Sequence, residues 1–294
     1  AGSSDGPAIE GQNLARLGDV VVVTVNHRLN VLGYLPLGHL DADFADAGHA
    51  GQLDLIAALK WVRDNIEAFG GDPHDVTIFG QSGGGAKVGT LLGMVPAKGL
   101  FHKAIEMSGP VVQLSSKDTA EDIAAQTLAA LGVAKADVHK LQSMDYKAVI
   151  RAATAAKPRA TGAGVIMRGL APLMDGRSIP AHPFDPVATN LSRDIPLMTG
   201  CAKDEATLFM AGDPDLGQMS MERAKARFEA TLGSKGAAAF EAYRAAYPTS
   251  DPSYLVSSMM TDWLFRSDTI VQADRKSAQN AAPVYVYRVD WEPR

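Results

Sequence analysis

Ile78-Phe79-Gly80-Gln81-Ser82-Gly83-Gly84-Gly85 is the stretch on which the fold of this chain turns. The residues before it, Asp75-Val76-Thr77-Ile78-Phe79, have strand composition, and a helix is expected from Gly84 to about Met94. Ser82 therefore stands on a strand-to-helix turn, inside Gly-x-Ser-x-Gly. Such a turn lifts the hydroxyl clear of the sheet, and its flanking residues must be tiny so that they collide neither with each other nor with a substrate. The helix that begins here aims free N–H groups at the site. The Gly83 amide is thus a natural donor to the negative oxygen that forms when Ser82 attacks an acyl carbonyl.

The same glycines admit three rival readings. Gly80 and Gly85 have the spacing of a phosphate-binding loop, but position 86 is Ala, Lys87 comes one place late and Val88 replaces the hydroxyl such a loop needs. Gly83-x-Gly85-x-x-x-Gly89, with Glu106 ending the next strand, is a loose imitation of a dinucleotide-binding turn. Close helix–sheet packing alone would explain the glycines and leave Ser82 unexplained.

Outward from this turn, the chain alternates strand and helix. Gly51 to Phe69 carries apolar Leu53, Ile56, Ala57, Trp61 and Ile66 at roughly helical spacing and is stopped by Gly70-Gly71-Asp72-Pro73. Lys103 to Met107 is expected as the strand after the turn, and the β-branched run Asp19 to Val25 as a strand covered on both faces. The expected fold class is α/β, a mostly parallel sheet with helices on both faces. Further on, Asp118 to about Ala156 is helical, with Thr119 and Asp122 as a variant capping box. Ala156 to Asp185 is loop-like and Ile195 to Gly200 a strand. Met219 to Ala246 reads as two helices broken at Gly233, Tyr254 to about Gln279 as one long helix, and Val284 to Asp290 as a closing strand. With no internal repeat and no long linker, one domain is the economical organisation.

Composition narrows the function. The 294 residues are 46% hydrophobic and 21% charged, which excludes a mainly disordered chain. A net charge of -5 argues against a general nucleic-acid binder, which needs a basic face. The lone Cys201 excludes an internal disulfide framework and a cysteine-based zinc site, and no metal or other cofactor is implied. No apolar run approaches the ~18 residues of a membrane-spanning helix. The compartment and the oligomeric state are left open.

Several blocks together resemble the type-B carboxylesterase family, which includes bacterial para-nitrobenzyl esterases, fungal lipases and cholinesterases. They are Val21 to Leu29 with Leu32-Gly33; Gly48-His49-Ala50-Gly51 with Leu53-Asp54; Ala58 to Val62 with Asn65-Ile66; and Phe69-Gly70-Gly71-Asp72-Pro73. Val76 to Ser82, Gly99 to Ile105 with Ser108-Gly109, Asp175-Gly176, Pro180 with His182-Pro183, and Lys203-Asp204-Glu205 follow in the family's order. The resemblance implies an α/β-hydrolase fold with helical cap or insert portions at roughly 112–190 and 208–280. It also implies hydrolysis of small-molecule carboxylic esters through an acyl-enzyme on Ser82.

Glu205 is similar to the acid of the family's serine–glutamate–histidine triad, whose task is to orient the histidine and stabilise its imidazolium. Gln81 and Ser108 fall near the site. Gln81 stands where the family usually has Glu; a neutral amide there removes a negative charge and disfavours cationic substrates. His27, His49, Leu55 and Ala206 are further departures, none of which removes a catalytic group.

By the same resemblance, a His-Gly-Gly-Gly oxyanion loop would precede Ala1 and the catalytic histidine would follow Arg294. The chain, which has no initiator methionine, is therefore expected to be the central part of a longer esterase and to show at most residual activity alone. Its own histidines, at 27, 39, 49, 74, 102, 139 and 182, are expected to be structural or surface residues. The alternative from a different class is a non-catalytic cholinesterase-like interaction protein, but such proteins have generally lost the nucleophile.

Overall fold

The computed structural model describes residues 4, 6, 9–156 and 170–291. Its centre is a parallel sheet of β1 (Thr77–Gln81), β2 (Lys103–Met107), β3 (Leu197–Ala202) and β4 (Val284–Val289), in that spatial order. Gln81 lies opposite Met107, Met107 opposite Gly200, and Ala202 opposite Val289, so the carboxyl ends of all four strands open on one edge. In open α/β sheets that edge is where ligands bind.

Helices Ala50–Asn65 and Gly83–Leu92 flank the sheet in sequence. Ile56 and Leu59 from the first, and Val88, Leu91 and Leu92 from the second, join Phe101, Ala104, Phe184 and Leu197 in the central buried cluster. Gly70, at φ 84°, ends the first helix where the glycine pair was expected to stop it. Two further clusters are helical. One gathers Phe228, Phe240, Leu255 and Met259, the other Val31, Leu35, Ala124, Val138 and Val149.

Four sequence expectations need correction or refinement. The run Asp19 to Val25 forms no paired strand, and Val20, Val21, Val23 and Val25 are exposed. Valine's strand preference expresses how well it packs on a covered, hydrogen-bonded pleat; among the described residues no strand lies beside this one. The cap of the helix Lys117–Ala130 is Ser116, whose hydroxyl accepts from the Thr119 N–H at 3.2 Å, not Thr119 itself. The expected span Asp118 to Ala156 is broken after Ala130, with Gly132 at positive φ, and resumes as the helix Tyr146–Ala155. The long helix expected from Tyr254 runs from Pro252 to Ser277 but contains a π turn at Asp262–Arg266. Most of the expected loop between Ala156 and Asp185, residues 157–169, lies outside the described residues. No helix among the described residues is long and apolar enough to cross a membrane.

Candidate active site

Ser82 has φ 56° and ψ -123°, a backbone conformation that side-chain-bearing residues rarely adopt. Residues held in such regions cost ~1–3 kcal/mol and persist only where the surroundings over-determine them. Here the surroundings are visible. The Ser82 N–H donates to the Met107 carbonyl at 2.8 Å, continuing the β1–β2 ladder one residue past the strand. The Ser82 carbonyl then accepts from the Ala86 N–H at 3.0 Å, which starts the helix Gly83–Leu92. The peptide must reverse between these two bonds, and the hydroxyl is left exposed at the sheet edge.

The reversal requires close backbone approach. A Cβ on Gly80 would lie 2.4 Å from the Gly84 carbonyl carbon, and one on Gly109 only 2.1 Å from the Ser82 carbonyl oxygen. Both contacts are with backbone, which cannot move aside. Gly109→Ala is therefore expected to destabilise the fold by about 2–3 kcal/mol and to slow phosphonylation of Ser82. Urea unfolding and labelling rates measure the two effects; a variant as stable and as reactive as the parent would refute the account of the turn.

The first intrahelical bond is the one from Ala86, so the amides of Gly83, Gly84 and Gly85 precede it and stand at the positive end of the helix. The Gly83 N–H thus lies beside the hydroxyl-bearing residue, as an oxyanion donor must. Ser108 is the neighbouring element: it also has positive φ, 53°, and its N–H donates to the Gly200 carbonyl at 2.8 Å, tying the end of β2 to β3. Gln81 is exposed at the end of β1 and carries no charge to the site.

Glu205 follows β3 by three residues, on the same edge as Ser82, and is half-buried. Its Oε1 accepts from the Ala202 N–H at 2.7 Å. The loop that carries it is held from behind by the last long helix. Thr261 Oγ1 accepts from the Ala206 N–H at 3.0 Å, and Arg266, in the π turn, donates to the Lys203 carbonyl at 2.6 Å. Ala206 is fully buried, so the methyl at this position is absorbed by packing. Leu208 and Phe209, next in the chain, stay exposed, and Phe209 stacks on Phe265. Thr261 and Arg266 were not singled out in the sequence. Their partners lie 55 and 63 residues away, and no local pattern signals such a contact.

None of the seven histidines hydrogen-bonds Ser82 or Glu205 among the described residues. His27 Nδ1 lies 2.9 Å from the Arg28 carbonyl, His102 accepts from the Val76 N–H and His182 from the Leu114 N–H. His39 faces Glu121, His49 faces Asp175, His139 faces Asp41 and Asp43, and His74 packs on the ring of His102. Cys201 is buried within β3, and that burial pushes its thiol up.

A parallel sheet whose strand-to-helix turn after β1 presents a strained serine, with a carboxylate held after a later strand on the same edge, is the α/β-hydrolase arrangement. The chain belongs to the type-B carboxylesterase family: the profile of the carboxylesterase family matches residues 1–294. The para-nitrobenzyl esterase of Bacillus subtilis is 37% identical over 293 residues, covering 100% of this chain and 57% of that protein. The phenmedipham hydrolase of Pseudarthrobacter oxydans is 30% identical over 290 residues, 98% of this chain and 56% of its own length. Among solved structures, the Geobacillus stearothermophilus carboxylesterase EST55 superposes with a TM-score of 0.85 at 36% identity, over 100% of this chain and 60% of that one. The chain thus spans less than two thirds of the length of these relatives.

Proposed function

We propose that the protein is a serine carboxylester hydrolase that works through an acyl-enzyme on Ser82. The observation that carries this is the strained Ser82 backbone at the amino end of a helix, on the carboxyl edge of the sheet. Ser82 Oγ attacks the ester carbonyl, the Gly83 N–H receives the developing oxyanion, and the alcohol leaves. Water then releases the acid by the same route. Glu205 is the carboxylate that orients the histidine base and stabilises its imidazolium. That histidine is proposed to lie outside residues 1–294, which the 57% coverage of the para-nitrobenzyl esterase supports. The exposed apolar pair Leu208 and Phe209, three and four residues after Glu205, would form one wall for the ester. In the same reading residues 1–294 belong to one domain, with helical inserts at roughly 112–190 and 208–280.

Labelling with a fluorophosphonate, followed by peptide mapping, tests the proposal: the adduct is expected on Ser82. No adduct and no turnover of p-nitrophenyl esters by the full-length protein would overturn it. Glu205→Gln keeps the acceptor for the Ala202 N–H but removes the charge, and is expected to lower kcat roughly 10³–10⁴-fold while KM changes little. Unchanged kcat would remove Glu205 from the triad.

A further inference from the structure

Lys87 lies one helical turn beyond Gly83, and its side chain folds back toward the amino end of the helix, as long helical side chains do. Its ammonium donates to the Gly83 carbonyl at 3.0 Å, and a Cβ placed on Gly83 would lie 3.7 Å from Nζ. The cation therefore sits against the residue that follows Ser82. Lys87 is half-buried, and burial holds its pKa below the ordinary lysine value. His27 is near enough to feel its charge. The imidazole pKa is lowered by burial first, with Lys87 contributing in the same direction.

Lys87 has no carboxylate within ion-pair distance among the described residues. Asp54, which also acts on His27, is engaged by Arg28, whose Nη2 lies 2.6 Å from Oδ1 and whose Nε reaches both oxygens. Gln81, the residue beside the nucleophile, is neutral. A partly desolvated ammonium with one carbonyl partner has two N–H bonds free and is poorly compensated. A carboxylate delivered by a substrate would complete it.

We propose that Lys87 is a specificity-determining residue that receives a carboxylate on the acyl part of the substrate, so that half-esters of short dicarboxylic acids are a preferred substrate class. The inference rests on Ser82 being the acylated nucleophile. With the acyl carbon on Ser82 Oγ and its oxygen at the Gly83 N–H, a short acyl chain running along the helix end brings its terminal carboxylate to Nζ. The resulting charge-assisted contact contributes about one order of magnitude in kcat/KM. It weakens as salt rises, because the site is only partly enclosed.

The test compares p-nitrophenyl hydrogen glutarate with p-nitrophenyl pentanoate, which has the same chain length without the charge. The full-length protein and its Lys87→Met and Lys87→Arg variants are each assayed at low and high sodium chloride. Both variants are checked by circular dichroism and by phosphonate labelling of Ser82. The glutarate-to-pentanoate ratio of kcat/KM is expected to fall about tenfold in Lys87→Met, to survive in Lys87→Arg, and to shrink with salt in the parent. Turnover of both esters with the same ratio in parent and Lys87→Met overturns the role of Lys87 alone. Turnover of neither ester, with no adduct on Ser82, overturns the hydrolase proposal and this inference with it. A Lys87→Met variant that misfolds leaves the comparison to Lys87→Arg and the salt series. There, a salt-independent ratio in the parent overturns the inference.

Discussion

Ser82→Ala is expected to lower ester turnover by about 10⁴-fold or more and to leave the stability of the fold within about 0.5 kcal/mol of the parent. The two halves of that expectation have separate structural causes. The hydroxyl is exposed and makes no hydrogen bond among the described residues, so its removal costs the fold nothing specific. The turn is built by backbone: the Ser82 N–H to Met107, the Ser82 carbonyl to Ala86, and the close approach of Gly80 and Gly109. Alanine has the same Cβ and bears the same strain at φ 56°.

Ser82→Gly removes the Cβ and relieves that strain. It is expected to raise stability by about 1 kcal/mol while being as inactive as the alanine variant. The measurements are turnover of p-nitrophenyl acetate, in a form of the protein that turns it over, and urea unfolding of all three proteins. Substantial turnover by Ser82→Ala would remove Ser82 as nucleophile. A glycine variant less stable than the alanine one would show that the turn is not strained.

The second large effect concerns a carboxyl that the chemistry does not use. Glu106 lies on β2, two residues before Ser108, and is fully buried. Gln272 Nε2 donates to both of its oxygens, at 2.8 and 2.9 Å, and Gly89 of the helix Gly83–Leu92 lies above them. Across the sheet, Thr199 sits beside Glu106 in register, and neither its hydroxyl nor Gln272 Oε1 has a partner among the described residues. Burial pushes the Glu106 carboxyl up to about 8, against the smaller opposing effect of the Gln272 hydrogen bond.

The folded protein therefore holds this proton up to about pH 8, whereas the unfolded chain releases it near the ordinary glutamate value of 4.5. A folded pKa above the unfolded one contributes stability that is fully present below the unfolded pKa and lost as pH rises to the folded one. Stability should thus fall between about pH 4.5 and pH 8, by roughly 4 kcal/mol from this group. Glu106→Gln keeps the shape and removes the titration. It is expected to be close to the parent near pH 4 and several kcal/mol more stable at pH 9. Urea unfolding at pH 4, 7 and 9 measures it; parallel pH profiles for parent and variant would refute a buried neutral Glu106.

Much of the fold was legible because its signals are short-range. β2, the break at Gly233, the stop at Gly70 and β4 stand where composition and glycine placement put them. The strand-to-helix turn at Ser82 was legible for the same reason: the strand, the glycines and the serine lie within eight residues, and their steric requirements are mutual. The run from Val20 to Val25 shows the limit. Its β-branched composition is a strand signal, yet four of its five valines are exposed and the run is unpaired among the described residues, since a strand exists only where a neighbour completes its hydrogen bonds. Glu205 was identifiable only through the family's order of blocks, because a carboxylate three residues past a strand is otherwise an ordinary surface charge.

The sequence by itself determined where Ser82 stands and what kind of turn holds it, since both follow from contacts among adjacent residues. Only the tertiary structure decided the surroundings of that serine. It seats Arg266 and Thr261 behind the loop of Glu205, folds Lys87 onto Gly83 with no carboxylate partner among the described residues, and closes Gln272 over Glu106 from 166 residues away. Those are consequences of packing and burial, which set charge and proton affinity by what surrounds a group and not by what adjoins it in the chain.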